Sequence, residues 1–316
     1  MVAPSHKLIT MRFFILIFVC VAAFYFISFS SGSKGSDALY ERAEFGEVVA
    51  QRQLGARLLN GNASERNYSE AHKWLLQAAA AGDAEAQGLL GVIYQNGLGT
   101  AINQAEAFRW FKLSAEAGLT EAQTFLAQMY EEGHGTTINY EKAFQWYGHA
   151  AEREDPIAQN GLGMLYMQGR GVQQDYAKGR ELIRAAAARG YPRAIYNLAT
   201  IYEQGLGVTV NLQNALRWYK NAASLGFVEA QYHLATLYFE GLKLPRDDAA
   251  ALTLYAEAAA QDHAGANYRL GQMYQQGLGT VADAATAQGY FLKACELGEQ
   301  AACALVKTAK YRRFNC

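Results

Sequence analysis

The sequence predicts an all-α protein, a right-handed α-solenoid of seven 36-residue helix-turn-helix repeats with a half-repeat cap at each end. Three observations predict it. Glycine recurs at Gly61, Gly97, Gly133, Gly169, Gly205, Gly241 and Gly277, a constant step of 36. Alanine (Ala50, Ala86, Ala122, Ala158, Ala194, Ala230, Ala266, Ala302) and leucine (Leu54, Leu90, Leu126, Leu162, Leu198, Leu234, Leu270) keep the same step. Finally, 30 glycines stand against 4 prolines, the balance of a helical chain whose turns are made by glycine.

The first element is apolar. Residues 13–29, FFILIFVCVAAFYFISF, contain no charge and as a helix would extend roughly 26 Å, near the short limit for crossing a bilayer. They read as an N-terminal transmembrane signal anchor within residues 1–31. A removed signal peptide is the alternative, because Ser28-Phe29-Ser30 is a mediocre cleavage pattern. His6, Lys7 and Arg12 precede the segment, which keeps the amino end in the cytoplasm and puts the repeats outside it, periplasmic or exported. Residues 32–36 form a polar linker. Register then assigns 37–46 to a lone capping helix and the repeats to 47–82, 83–118, 119–154, 155–190, 191–226, 227–262 and 263–298. A second capping helix covers 299–312, before a tail at 313–316.

Within a repeat, Ala86, Leu90 and Tyr94 lie four apart, on one face of a first helix, helix A. The Gly-x-Gly after it (YQNGLG, YEEGHG, YMQGRG, YEQGLG, YQQGLG) ends that helix, since glycine accepts the left-handed conformation at a helix stop. Helix B comes next, typified by NQAEAFRWFKLSAEAG, with an apolar pair such as Trp110-Phe111 or Trp218-Tyr219 and small residues at its end. The Trp positions read as core rather than as a cofactor box. No repeat covers its own apolar face, so stability must come from stacking.

This pattern, Ala-x3-Leu-Gly/Ala-x2-Tyr-x2-Gly-x-Gly followed by Ala-x2-Trp/Tyr-Tyr/Phe and Ala-Ala-x2-Gly, resembles the Sel1-like repeat (SLR) family, relatives of the tetratricopeptide repeats. The resemblance spans residues 37–312 and implies adaptors that assemble complexes, often at membranes or in the bacterial envelope. Two turns depart from it: Asn62-Ala63 in the first repeat and LKLPRDD (242–248) in the sixth.

Cys295 and Cys303 sit eight apart at the last turn, on adjacent antiparallel helices whose β-carbons should face each other. Secreted members of the resembled family carry disulfides at this spacing, so the resemblance implies a Cys295–Cys303 bridge; two buried free thiols remain the alternative. A metal site would want further ligands and a redox motif a closer pair. Cys316 is left odd.

Net charge is −1, without the basic excess of a nucleic-acid binder, and no nucleic-acid partner is expected. The six histidines keep no repeat register and no catalytic spacing; His134 falls in a turn, and His72 and His149 on helix B surfaces. Gly-x-Gly lacks the third glycine or Lys-Ser/Thr of a phosphate loop. No enzymatic activity, cofactor or metal is therefore expected. Helix A offers binding candidates instead. Tyr196-Asn197, Tyr232-His233 and Tyr268-Arg269 form a ladder along the concave groove, although tyrosine there also suits packing between hairpins. Glu131, Glu132, Glu203 and Glu240 lie near helix A C-termini, where a carboxylate opposes the helix dipole, so local stability does not explain them and a basic partner would; ordinary solvated charge is the alternative. The expected role is a monomeric, membrane-attached scaffold of the cell envelope that binds a protein or peptide, a basic one by the glutamate reading, in that groove. A secreted enzyme or glycan-binding protein is the alternative.

Overall fold

The computed structural model describes residues 34–62 and 66–306, with side chains from 38 onward. Residues 13–29, the linker at 32–33, the far end of the second cap and Cys316 lie outside this range; among the described residues no helix is long and apolar enough to cross a membrane. The described chain is built of helices and contains no strand. Its helices are α1 (Lys34–Glu44), α2 (Val48–Asn60), α3 (Tyr68–Ala80), α4 (Ala84–Asn96), α5 (Gln104–Glu116), α6 (Thr120–Glu132), α7 (Tyr140–Glu152) and α8 (Pro156–Gln168). They continue as α9 (Tyr176–Ala188), α10 (Pro192–Gln204), α11 (Leu212–Ser224), α12 (Val228–Glu240), α13 (Asp248–Ala259), α14 (Ala264–Gln276) and α15 (Ala284–Glu296). Helix α16 begins at residue 300 and runs through 306. Even-numbered helices are A helices and odd-numbered ones are B helices. The chain divides into two compact units, one ending at Leu182 and the other starting at Ile183. Within each, consecutive helices pack on one another in series, the α-solenoid arrangement.

Side-chain size sets how closely A and B approach. One position of helix B is buried and apolar or aromatic in every repeat: Leu75, Phe111, Tyr147, Ile183, Tyr219, Tyr255 and Phe291. Each such aromatic or branched side chain contributes roughly 1.5–3 kcal/mol when removed from water. Opposite it within the two units, helix A supplies Gly55, Gly91, Ala127, Ala199, Ala235 and Gly271. The fit is tight: a Cβ on Gly91 would stand 2.7 Å from the Phe111 ring, and one on Gly271 2.6 Å from the Phe291 ring. Trp74 and Trp110 are buried with this core, as expected, whereas Trp146 and Trp218 are half-exposed. Arg217 lies over the Trp218 ring at 5.4 Å.

Caps fix the helix boundaries. Asn67, Asn103, Asn139, Asp175, Asn211 and Asp247 each accept the backbone N–H three residues on, at 2.9–3.1 Å. Asp283 accepts from Ala285 and Thr286 in the same role. Such a cap contributes typically about 1 kcal/mol. Six A helices end on a left-handed glycine (97, 133, 169, 205, 241, 277), as the spacing predicts. The first does not: Gly61 is extended, with φ −62° and ψ 169°, and Asn62 rather than a second helix stop continues the chain.

The second glycine of Gly-x-Gly has a separate task. A Cβ on Gly135 would stand 2.0 Å from the Gln104 carbonyl oxygen, and one on Gly279 2.4 Å from that of Asp248. This glycine seats the A-to-B loop of one repeat on the first turn of the preceding repeat's helix B. In the sixth repeat Lys243 holds that position.

Candidate functional site

The predicted binding residues separate into distinct settings. In the unit that begins at Ile183, α10, α11, α12 and the loop after α12 bring several of them together. Tyr196 on α10 is half-buried, its ring 5.4 Å from Tyr219, 5.5 Å from Phe227 and 6.3 Å from His233. Tyr219 and His233 are themselves 4.6 Å apart. At the end of α10, Glu203 accepts the Tyr219 hydroxyl at 2.7 Å and, on its other oxygen, the Lys243 ammonium at 2.7 Å. His233 Nε2 lies 3.3 Å from the oxygen that Tyr219 holds, off the line of a hydrogen bond. Thr200 stands 3.1 Å from the Tyr219 hydroxyl. The Tyr219 hydrogen goes to Glu203, and the Thr200 hydroxyl hydrogen is shared between the Tyr219 oxygen and the Tyr196 carbonyl, the latter at 3.2 Å.

Burial alone would raise the pKa of Glu203. Its bonds from Lys243 and Tyr219, with the charge of His233 and Lys243, outweigh that and hold it below the usual carboxylate range. Burial pushes the pKa of the Tyr219 and Tyr196 hydroxyls up, so both stay protonated. The cluster is thus a single sequestered carboxylate within an aromatic collar, satisfied by phenol and ammonium.

The next two rungs are built differently. Tyr232 stacks on His263 at 4.3 Å and packs against Tyr255 at 5.6 Å. Tyr255, whose pKa burial pushes up to about 12, meets the Thr236 hydroxyl at 2.9 Å. Tyr268 packs on Phe291 at 5.8 Å and accepts from Gln272 at 3.1 Å. Arg269 donates to Gln272 and lies over the Phe239 ring at 5.7 Å. The ladder tyrosines therefore form walls between hairpins. Their neighbours Asn197, His233 and Arg269 are partly exposed.

The four glutamates do not share one fate. Glu131, in the other unit, accepts the Tyr147 hydroxyl at 2.8 Å. This pair is the register equivalent of Glu203 and Tyr219, two repeats earlier. The expectation that local stability leaves these carboxylates unexplained is corrected for both: each is the acceptor that a buried helix B tyrosine requires. Glu132 pairs with His134 at 3.0 Å, and Glu240 is exposed. His72 is also more than surface, since it is half-buried and meets the Tyr94 hydroxyl at 2.9 Å.

Sequence reasoning misses Tyr219 and Lys243. The signal for Lys243 is the loop that lacks its second glycine; for Tyr219 it is the recurrence of Glu and Tyr sixteen apart in the third and fifth repeats. The cysteines are placed together: Cys295 and Cys303 are joined, S–S 1.97 Å, with Cα atoms 4.7 Å apart. Among the described residues no three His, Cys, Asp or Glu side chains converge as a metal site.

Comparison with known proteins gives the same 36-residue period, its boundaries one residue later than those read from the sequence. The Sel1 repeat family profile matches residues 48–83, 84–119, 120–155, 156–191, 192–227, 228–263 and 264–299. A solved Sel1 repeat protein from Oxalobacter formigenes is 32% identical over 89% of this chain and 82% of its own, with a TM-score of 0.70. A protective antigen of uropathogenic Escherichia coli strains, displaying an SLR fold, is 32% identical over 86% of this chain with a TM-score of 0.66. The chain spans 58% of the length of that antigen. No curated protein is significantly similar. Seven consecutive matches, falling helix for helix on α2 to α15, make the chain a member of the Sel1 repeat family.

Proposed function

We propose that this protein is a docking scaffold that holds an extended, basic protein segment against its A helices, as a membrane-attached component of the cell envelope. The Sel1 repeat fold generally mediates protein–protein interactions and is not typically enzymatic. The observation that carries the reading is the helix A ladder: Asn197, His233 and Arg269 recur at 36-residue steps, partly exposed, while the adjacent tyrosines are locked by packing. Rigid aromatic walls beside adaptable polar groups suit recognition of a segment at little ordering cost to the scaffold itself. A repeat domain outside the cytoplasm is supported by the Cys295–Cys303 pairing, since disulfides persist in oxidising compartments.

Photo-crosslinking in the native host tests it. A crosslinking amino acid at Asn197 or Arg269 should capture one protein partner, and the same group at the exposed helix B position Arg217 should not. Equal capture from both faces, or none from helix A, would overturn the proposal. Protease protection of the repeats in intact cells tests the location separately.

A further inference from the structure

We propose that Glu203 is a receptor for a lysine side chain of the partner, and that Lys243 occupies it as an internal stand-in. The proposal rests on the docking reading above and gives it a specific contact.

Three features distinguish this pair from an ordinary surface ion pair. First, its exposure is lopsided: the Glu203 side chain is 8% exposed, whereas that of Lys243 is 45% exposed. The carboxylate belongs to the folded body, while the lysine reaches it from water. Second, Lys243 comes from a loop freed of its usual anchorage. In other Gly-x-Gly turns, Gly99, Gly135, Gly171 and Gly279 stand against the preceding helix B at distances no Cβ tolerates. Lys243 cannot take that seat. Its loop is held instead by Leu244, packed against Ala199, Ala215, Tyr219 and Leu237, by the Arg246–Asp248 pair, at 2.8 and 3.1 Å, and by Lys243 on Glu203. Third, Glu203 lies beside an aromatic cluster in which Tyr196, Tyr219 and His233 stand 4.6 to 6.3 Å from one another, with the Tyr219 hydroxyl at 2.7 Å and His233 Nε2 at 3.3 Å from one of its oxygens.

The equivalent carboxylate in the third repeat marks what is special here. Glu131 has its tyrosine, but the positions of His233 and Lys243 are taken by Gly161 and Gly171. Glycine at those two positions makes the histidine and the lysine particular to the site around Glu203. With Lys243 displaced, Glu203 retains the Tyr219 hydroxyl and the nearby His233 but loses its ammonium, and a sequestered anion recruits another cation strongly. A partner lysine would take the same place by exchange.

Saturation-transfer NMR on the full-length protein tests the exchange. The probe is an acetylated, amidated Gly-Gly-Lys-Gly-Gly peptide, with norleucine in place of lysine as the uncharged control. Lys243→Ala should bind the lysine peptide about fivefold more tightly than the parent, corresponding to about 1 kcal/mol of competition removed. Glu203→Gln in that background should abolish the gain, and the norleucine peptide should show none. Lys243→Arg should behave like the parent. The proposal is overturned if Lys243→Ala binds no better than the parent, or if the gain survives Glu203→Gln. Circular dichroism of each variant separates these outcomes from unfolding. A partner still captured through Asn197, with no effect of Lys243→Ala on its affinity, would retire the stand-in and leave the docking reading intact.

Discussion

Replacing Gly135 by alanine should be far more costly than replacing Gly82, although both glycines have positive φ. Gly82 has φ +89° and nothing within 4 Å of an added Cβ, so alanine there meets only the left-handed backbone penalty, about 1 kcal/mol. Gly135, with φ +68°, carries the same penalty. Its added Cβ would also lie 2.0 Å from the Gln104 carbonyl oxygen and 3.1 Å from the Ala105 nitrogen. Both are backbone atoms of the first turn of α5, which cannot rotate aside as a side chain would. The loop must lift off the helix, and overpacking of this kind costs a further ~1–3 kcal/mol. The total for Gly135→Ala is therefore about 3 kcal/mol, against about 1 for Gly82→Ala. Urea denaturation of the full-length variants, monitored by far-UV circular dichroism, measures both. Equal losses for the two would refute the claim that the second glycine of Gly-x-Gly is a contact between repeats rather than merely a turn residue.

Cys295→Ser/Cys303→Ser should remove about 2.5 kcal/mol on the chain-entropy account of so short a loop, read as faster hydrogen exchange in α15 and α16 with little change near α2. Burial lowers the pKa of His263, whose Nδ1 accepts the Ala266 N–H at 3.0 Å. The folded state thus resists a proton that the unfolded chain takes up, so stability should be full above about pH 6.5 and fall as pH drops below it. His263→Asn, which keeps a capping acceptor, should flatten that slope in denaturation midpoints. Ala79→Cys/Gln87→Cys, the register equivalent of Cys295 and Cys303, should oxidise to a second bridge, seen as loss of two titratable thiols.

Much of the architecture is legible because it depends on spacing. A step of 36 in glycine, alanine and leucine fixes which residues share a face, and helix boundaries from α2 to α15 obey it. Spacing does not carry which polar atom meets which. Glu203 looks unfavourable on α10 alone, because its acceptor role depends on a tyrosine sixteen residues on, across the turn. The same holds for His72 and Tyr94, which meet only when two repeats are stacked. Gly61 shows the converse error: it keeps the register yet not the left-handed conformation, and loss of the second glycine is not by itself the cause, since Gly241, followed by Leu242-Lys243, stays left-handed.

The B-to-A turns show how one register position can hold alternative chemistry for the same mechanical purpose. Gln51, Gln87, Gln123 and Gln231 each extend Nε2 to the carbonyl eight residues earlier, on Ala43, Ala79, Ala115 and Ala223, at 3.1–3.3 Å. These carbonyls belong to the end of helix B, where the donor of a continuing helix is missing and the backbone offers the glycine N–H three residues on. The glutamine gives each a second donor and ties the next helix A to it. In the final turn the same two positions are Cys295 and Cys303. Four of the earlier turns are tied in this way, by a net bond of about 1 kcal/mol each; at Ile195 the register position has no donor, and Asn267 donates to the His263 carbonyl instead. Between α15 and α16 the tie is covalent. One register position thus joins helix B to the next helix A by glutamine or by disulfide, and in a one-dimensional stack either link adds to the interface between neighbouring helices.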